Sequence, residues 1–260
     1  MDNFEQQIKD LDLKLFEKIK SQSDDEDKQS LLACQLATRE LHPNYNYLEI
    51  GSYLGGSIQP HLLDDKCAKI YSIDKRPLIQ PDERGVNYVY RNNSTARMLG
   101  LLEEVSPEKI EKITTIDGDT RSLNPAQIPD KMHLCFIDGE HTDEAVVSDF
   151  KFCLSLLNEK GVILFHDAEI TYNGIAECIN YLKENSIKFR AYNLPMVVFA
   201  IEINDFPIHR NPAIMERLIN NPGYLFSLQF NDYYRKFTNK PPFLLYRRLL
   251  TKWRGNNISE

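Results

Sequence analysis

The sequence predicts an open α/β fold, in which a mainly parallel sheet is covered by helices on both faces. Six short apolar runs recur between residues 45 and 203, and most of them end in an acidic residue or glycine. Helical stretches lie between these runs, and this alternation is typical of βαβ units with right-handed crossovers. Helical segments also precede the first run and follow the last, so we expect helical additions at both ends of the sheet domain.

The composition favours a folded protein with one sizeable core. Of the 260 residues, 42% are hydrophobic and 27% are charged, as in ordinary globular proteins. The net charge of −7 disfavours a general nucleic-acid binder. The five cysteines have no CxxC spacing, so we expect reduced core thiols in a cytoplasmic protein. We divide the chain into N-terminal helices (1–43), a sheet domain (44–205) and a helical extension (206–260).

Two helices are expected before the sheet. Residues 4–20 carry apolar side chains at helical spacing. A second helix is expected to begin near Ser23, whose side chain can cap it, with the acidic residues 24–27 at its positive end. It should end near Leu41, because Pro43 follows.

The expected strands and helices of the sheet domain follow in order. The strands cover residues 45–51, 68–74, 112–118, 133–139, 161–167 and 197–203. The helices between them cover residues 56–65, 94–105, 142–157 and 172–185. The segment 75–92 contains two prolines and is expected to be an irregular insertion.

Beyond residue 203 the pattern is helical again. Aromatic side chains recur on one helical face between Phe226 and Phe237, and a last helix is expected after Pro241 and Pro242. The segment 233–254 holds seven basic residues and no acidic one. Such a tail packs as a helical cap or homo-oligomer contact, or it makes a peripheral contact with the inner face of a membrane.

The first strand ends in a glycine-rich loop (residues 51–57), within the segment YLEIGSYLGGS. Glycines let the backbone turn tightly and approach a ligand closely. The spacing is GxxxGG, whereas GxGxxG holds the pyrophosphate of a dinucleotide, and the carboxylate of Glu49 would repel a phosphate. The loop therefore favours a phosphate-free nucleoside that carries an ammonium group.

Polar residues follow the next strands at the same edge of the sheet, where ligands of open α/β folds bind. Asp74 closes the second strand and can accept hydrogen bonds from ribose hydroxyls. Asp119 and Thr120 follow the third strand, where they either face an adenine edge or form a plain polar turn.

The fourth and fifth strands end in acids and imidazoles that should converge above the sheet. Asp138, Glu140 and His141 follow the fourth strand, and His166 and Asp167 follow the fifth. Carboxylate oxygens and an imidazole can hold a divalent cation. Glu140 or His141 can also act as a general base.

These motifs resemble those of class I S-adenosylmethionine-dependent methyltransferases. More narrowly, the chain is similar to the metal-assisted O-methyltransferases of sugar, polysaccharide and antibiotic-tailoring pathways. The resemblance covers residues 45–203, and its specific segments are YLEIGSYLGGS, YSID, DGDT, FIDGEH and LFHD. It implies a Rossmann-like sheet of seven strands, S-adenosylmethionine as cofactor, and methylation of a hydroxyl on a small molecule, sugar or glycan.

The resemblance also implies a role for each matching residue. The methionine part of the cofactor would meet Glu49 and Gly51, its ribose Asp74, and its adenine Asp119. The full set of expected cofactor contacts is Glu49, Gly51, Ser52, Tyr53, Gly55, Ser57, Asp74, Asp119, Thr120 and Asp138. Mg²⁺ or another divalent cation would be held by Asp138, His166 and Asp167. The expected catalytic residues are Asp138, Glu140 and His141.

His166 departs from the family pattern, because such relatives often carry a second acid at that position. Two other functions also stay open. An NAD-type oxidoreductase would need a third phosphate-binding glycine and a hydride-relay residue. A non-catalytic cofactor-binding protein would have no need of the acid and imidazole cluster. The wall facing the acceptor is expected from residues 75–92, residues 168–175 and the C-terminal helices.

Overall fold

A central sheet with helices on both faces organises the chain in the computed structural model, which describes residues 2–219, 240–246 and 248–249. The strands are β1 (Tyr45–Ile50), β2 (Cys67–Asp74), β3 (Ile79–Pro81), β4 (Asn87–Val89), β5 (Ile113–Asp117), β6 (Met132–Ile137), β7 (Leu157–Phe165), β8 (Phe189–Asn193) and β9 (Phe199–Ile203). The helices are α1 (Asp2–Lys9), α2 (Asp25–Leu41), α3 (Gln59–Leu63), α4 (Thr95–Val105), α5 (Asp143–Leu156), α6 (Tyr172–Glu184) and α7 (Pro212–Ile219).

Seven strands form the main sheet in the order β5-β2-β1-β6-β7-β9-β8. All neighbours are parallel except β9, which runs antiparallel to both β7 and β8. The predicted α/β fold with a mainly parallel sheet is therefore confirmed. The order changes direction between β1 and β6, and such a switch point opens a crevice beyond the strand ends.

The core lies in two layers, one on each face of the sheet. Successive strand residues point to opposite faces, so Tyr47 joins one layer and Leu48 the other. The first layer includes Cys34 of α2, and the second includes Phe150 of α5 and Cys178 of α6. The five cysteines are free and buried, as expected for core thiols.

The N-terminal segment differs from the expectation. The helix predicted over 4–20 stops at Lys9, because Leu11 adopts a positive φ of 50° and a 3-10 turn follows at Leu13–Phe16. The N-cap position of the second helix is Asp24, not Ser23, and no side chain makes a capping hydrogen bond there; the expected end at Leu41 is confirmed.

Two strand predictions were incomplete. The insertion is not irregular, because β3 and β4 pair antiparallel within it and form a hairpin (residues 79–89). The edge strand β8 was missed, because its partly exposed residues give no continuous apolar run. Short strands that pair at an edge leave little trace in a hydrophobic pattern.

The C-terminal tail is described only in part. Residues 243–246 and 248–249 are helical, as expected after Pro242. The aromatic face predicted between Phe226 and Phe237 lies outside the described residues, as does most of the basic segment. Within the described residues, no helix has the length and apolar character that a membrane crossing requires.

Arg39 should be a stability determinant, because its buried guanidinium bridges α1 and α3. Its Nε lies 2.9 Å from the buried Oδ2 of Asp64, and its Nη1 lies 3.0 Å from Glu5 Oε2. We expect Arg39→Met to lower the free energy of unfolding by about 3–5 kcal/mol in urea titrations, because it strands a buried carboxylate. Lys69→Met is the control, since it breaks an exposed pair with Asp130 and should cost about 0–1 kcal/mol. Equal losses in the two variants would contradict this role.

Candidate active site

Backbone hydrogen bonds fix the loops that leave the central strands. The N–H groups of Gly51, Asp138 and His166 donate to the carbonyls of Ile73, Ile50 and Ile137, at 2.8, 2.9 and 2.9 Å. Each bond extends the pairing of the sheet by one residue beyond a strand end. The predicted convergence of these strand ends at one edge is therefore confirmed.

Gly51 brings the glycine-rich loop against the end of β6. Its φ is +90°, and a side chain there would overlap the carbonyl of Asp138. Only glycine combines this backbone conformation with so close an approach. The loop therefore crosses directly beside Asp138, which places two of the predicted segments in contact.

Glu49 lies beneath the loop and does not face the ligand crevice. Its carboxylate is fully buried and accepts hydrogen bonds from Tyr47 Oη at 2.5 Å and Ser57 Oγ at 2.6 Å. Burial raises the pKa of Glu49 to about 7, although these two hydrogen bonds oppose the shift. The expected direct contact with the methionine part of a cofactor is thus corrected, because the carboxylate holds the loop through Ser57.

Two adjacent cavities open at the strand ends. The first cavity, of about 250 Å³, is lined by residues 20–22, the glycine-rich loop, the hairpin and the ends of β6 and β7. The second cavity is smaller and lies toward β5, where Asp119 and Thr120 line it. Asp74 and Gly51 belong to both cavities. A nucleoside with its ribose at Asp74 would place its base in the second cavity and its remaining part in the first.

The position of Asp74, which lines both cavities, suits a nucleoside that is divided between them. Its buried carboxylate accepts hydrogen bonds from the N–H groups of Tyr53 at 2.9 Å and Arg76 at 2.7 Å. Ser52 and Tyr53 line the first cavity, as expected for cofactor contacts. Gly55 does not line the first cavity, because it turns the chain at a φ of +81° and packs against Leu102.

The second cavity holds the two residues expected near an adenine. Asp119 accepts hydrogen bonds from the side chain and backbone of Arg121, and this pairing lowers the pKa of Asp119 to about 2. The hydroxyl of Thr120 donates to Asp149 at 2.5 Å. Burial raises the pKa of Asp149 to about 7, although the hydrogen bond from Thr120 opposes the shift.

Glu140 also lies in the second cavity, and this corrects its assignment as a candidate base. Its carboxylate pairs with Lys75 and accepts a hydrogen bond from Thr142 Oγ1 at 2.9 Å. It therefore faces away from the first cavity, where Asp138 and His141 lie.

His141 stands between two carboxylates. Its Nδ1 lies 3.1 Å from Oδ2 of Asp82, a buried residue of the hairpin, and its Nε2 lies 3.0 Å from Oδ2 of Asp167. Burial opposes protonation of this imidazole, but the charges of Asp167 and Asp82 outweigh it and raise the pKa of His141 to about 9. The hairpin is held here by a second bond, from the N–H of Glu83 to the His141 carbonyl at 2.9 Å.

His166 is more deeply placed, and three carboxylates surround it. Its Nδ1 lies 3.3 Å from Asp138 Oδ1 and 3.0 Å from Asp167 Oδ2, and its Nε2 lies 3.5 Å from Asp27 Oδ2. Burial opposes protonation, but Asp138 and Asp167 raise the pKa of His166 well above its usual value. Asp27 had been taken only as part of the acidic start of α2, so this contact was missed.

The cluster fits a divalent cation. Donor atoms of Asp138, His141 and Asp167 all lie within 4.8 Å of one another, and Nδ1 of His166 adjoins two of these residues. Octahedral Mg²⁺ ligands at about 2.1 Å from the ion are about 3 Å apart, close to the 3.3 and 3.0 Å that separate Nδ1 of His166 from Asp138 and Asp167. The imidazole of His141 is also hydrogen-bonded to an outer carboxylate, Asp82, as metal-binding histidines commonly are, whereas Nε2 of His166 lies 3.5 Å from Asp27 without a hydrogen bond.

The segments expected to face the acceptor differ in their relation to the first cavity. Gln80, Tyr88 and Tyr90 of the insertion line the first cavity, whereas none of residues 168–175 does. Residues 20–22 line it instead, and nothing in the sequence of this segment signals a binding role.

Comparison with known proteins agrees with this geometry. Residues 48–168 match a family model described as a methyltransferase domain. No curated protein matches the chain.

Solved structures share the fold at low sequence identity. The O-methyltransferase NovP has a TM-score of 0.52 at 13% identity, over 66% of this chain and 78% of that one. The calicheamicin methyltransferase CalS11 has a TM-score of 0.51 at 13% identity, over 77% of this chain and 91% of that one. Cofactor-bound Rv0187 from MTB has a TM-score of 0.51 at 13% identity, over 78% and 90%. These likenesses support the fold, and the matched domain favours methyl transfer over hydride transfer.

The contact between Gly51 and Asp138 gives a direct test of the site. We expect Gly51→Ala to weaken binding of S-adenosylhomocysteine at least about tenfold in calorimetry, because strain of about 1–3 kcal/mol falls on the loop. Gly100→Ala is the matched control, since no atom lies within 4 Å of the added methyl group. It should leave affinity unchanged and can raise stability by about 0.4–1 kcal/mol. A folded Gly51→Ala variant with wild-type affinity would contradict the proposed geometry.

Proposed function

We propose that this chain, a class I S-adenosylmethionine-dependent methyltransferase, methylates a hydroxyl oxygen of a sugar or glycan with the help of a divalent cation. One observation carries the proposal. The acid and imidazole cluster around Asp138 opens into the same cavity as the glycine-rich loop. Methyl donor and hydroxyl acceptor would therefore meet at this cluster.

The reaction needs alignment and the removal of one proton. The acceptor oxygen attacks the methyl carbon, the carbon–sulfur bond breaks, and sulfur leaves as the neutral thioether of S-adenosylhomocysteine. Since the sulfonium is already activated, positioning supplies much of the catalysis, up to about 7–11 kcal/mol in ideal cases. Gly51 and Asp74 would hold the donor, and the hairpin would hold the acceptor.

His141 is the proposed base that takes the hydroxyl proton. The carboxylate of Asp82 can only accept, so Nδ1 of His141 carries the hydrogen directed at it. Nε2 faces Asp167 at 3.0 Å, and the two carboxylates together favour a protonated imidazole, so Nε2 could receive a proton only where the proposed cation engages Asp167. Asp82 thus positions the imidazole, in the way a carboxylate orients a catalytic histidine.

The proposed cation ligands are Asp138, His166 and Asp167. A bound divalent cation would orient two vicinal hydroxyls and lower the pKa of the one that reacts. His166 is the proposed third ligand because its Nδ1 adjoins both carboxylates, while its Nε2 is directed at Asp27. In this arrangement His141 is not a ligand of the cation and keeps its proposed role as the base.

The wall of the first cavity supports a sugar acceptor. Tyr53 and Tyr90 meet edge to face with ring centroids 5.1 Å apart, and Tyr88 meets His141 at 5.5 Å. Aromatic rings bind the apolar faces of ring-shaped ligands, while Gln80 can supply polar contacts. NovP and CalS11, which share the fold, are an O-methyltransferase and a calicheamicin methyltransferase.

A membrane contact or homo-oligomer contact through residues 233–254 stays a prediction of the sequence. Exposed apolar side chains in the described part of this segment support a contact surface, namely Phe243, Leu245, Tyr246 and Leu249. Such a surface would suit an acceptor carried at the inner face of a membrane.

The metal proposal predicts that Asp138→Ala separates turnover from cofactor binding. We expect kcat to fall at least about 100-fold with vicinal-diol sugar and catechol acceptors, because charge stabilisation at the reacting oxygen is lost. Affinity for S-adenosylhomocysteine should change little in calorimetry. Chelation followed by Mg²⁺ addition should remove and restore wild-type activity. Full activity after exhaustive chelation would exclude the cation.

The two histidines should respond differently to substitution. We expect His166→Gln to weaken Mn²⁺ binding at least about tenfold, because a ligand is lost. His141→Gln should leave Mn²⁺ affinity within about threefold but lower kcat about 100-fold, as expected when a general base is removed. Mn²⁺ affinity can be measured by electron paramagnetic resonance. The reverse pattern would make His141 the ligand and His166 a structural residue.

A further inference from the structure

We propose that Lys20 binds the carboxylate at the methionine end of the cofactor. The inference rests on S-adenosylmethionine as the methyl donor, and it adds a binding residue from the N-terminal segment. Lys20 lies outside the matched methyltransferase domain and outside every motif described above.

The backbone around Lys20 lies directly on the glycine-rich loop. A methyl group built on Gly56 would lie 2.8 Å from the Cα of Ser21 and 3.1 Å from the carbonyl oxygen of Lys20. Gly56 therefore allows the N-terminal segment to close over the loop. The contact puts Lys20 beside the part of the first cavity that Gly56 and Ser57 line.

A buried glutamine fixes this arrangement. Gln59 accepts a hydrogen bond from the N–H of Ile19 at 2.9 Å, and its amide donates to the carbonyl of Ile19 at 2.8 Å. The same amide lies 2.8 Å from the Gly56 carbonyl and 3.2 Å from the Phe16 carbonyl. One side chain thus ties the residue before Lys20 to the loop and fixes the backbone from which the lysine side chain extends.

The charges of the first cavity favour a carboxylate at the end where Lys20 lies. Asp74, Asp138 and Asp167 line one part of it, where their negative charge would repel the carboxylate of the cofactor. Among the described residues that line this cavity, Lys20 is the one lysine or arginine, and the two imidazoles, His141 and His166, are already paired with carboxylates. The hydroxyl of Ser57 cannot substitute for it, because its single hydrogen is donated to Glu49.

Lys20 is also available to bind a ligand. In the described part of the chain, no carboxylate lies within ion-pair distance of its ammonium group. The ammonium of Lys18, two residues earlier, is already engaged, because it donates hydrogen bonds to the carbonyls of Glu104 and Val105 at 3.2 and 3.3 Å. Lys18 therefore offers a matched control of the same charge in the same segment.

Two ligands separate the carboxylate from the rest of the cofactor. S-adenosylhomocysteine carries the amino acid group, whereas 5′-methylthioadenosine ends in a methyl group on the same neutral sulfur. We expect Lys20→Met to weaken S-adenosylhomocysteine at least about tenfold in calorimetry, since a charged hydrogen bond is lost. Binding of 5′-methylthioadenosine should stay within about twofold of wild type. Lys20→Arg should retain most of the affinity for S-adenosylhomocysteine, and Lys18→Met should retain all of it.

Other outcomes would overturn the inference in distinct ways. Unchanged binding of S-adenosylhomocysteine by Lys20→Met would show that the lysine does not hold the carboxylate. An equal loss for both ligands would show that it acts on the nucleoside or on the loop. If the wild-type protein binds neither ligand, the assignment of the cofactor fails, and the inference fails with it.

Discussion

The close approach of Gly51 to the carbonyl of Asp138 is the constraint on which the site depends. It joins the ends of β1 and β6 at the point where the strand order changes direction. Because of it, the loop that would hold the donor lies beside the acid that would hold the cation. A residue with a side chain at position 51 would separate them, since the donor's methyl group and the acceptor oxygen must come together within a few ångströms.

Electrostatics explain why the helical additions and the hairpin matter to this site. Asp138 and Asp167 carry negative charge into a partly buried cluster, and such charges need partners. Two imidazoles supply them, and each imidazole lies in turn beside an acid from outside the motifs that end the strands. Asp27 of α2 reaches His166, and Asp82 of the hairpin reaches His141. The additions are therefore part of the site's charge balance. The proposed role of Lys20 adds one more charge from the N-terminal segment, at the amino-acid end of the cofactor.

The sequence predicts which strand ends carry chemistry, because apolar runs that stop at polar residues mark the sheet edge directly. It does not predict the direction of each side chain beyond that edge. Glu140 and His141 are neighbours, yet one faces the second cavity with Lys75 and the other the first. Glu49 was placed correctly at a strand, but the alternation of side chains turns it under the loop.

Long-range partners are a second class of features that the sequence does not reveal. The contacts of Asp27, Asp82 and Gln59 depend on tertiary packing between distant segments, and isolated acids or amides give no periodic signal. Strand β8 and the hairpin were missed for a related reason, since three to five residues at an exposed edge carry little hydrophobic pattern.

The identity of the cofactor is the premise of the whole site, and calorimetry on the wild-type protein tests it most directly. Titration with S-adenosylhomocysteine and, in parallel, with NADH presents the two candidate ligand classes to the same loop. We expect one equivalent of S-adenosylhomocysteine to bind with micromolar affinity, in the range usual for enzyme ligands, and NADH not to bind. Binding of NADH without binding of S-adenosylhomocysteine would contradict the methyltransferase site.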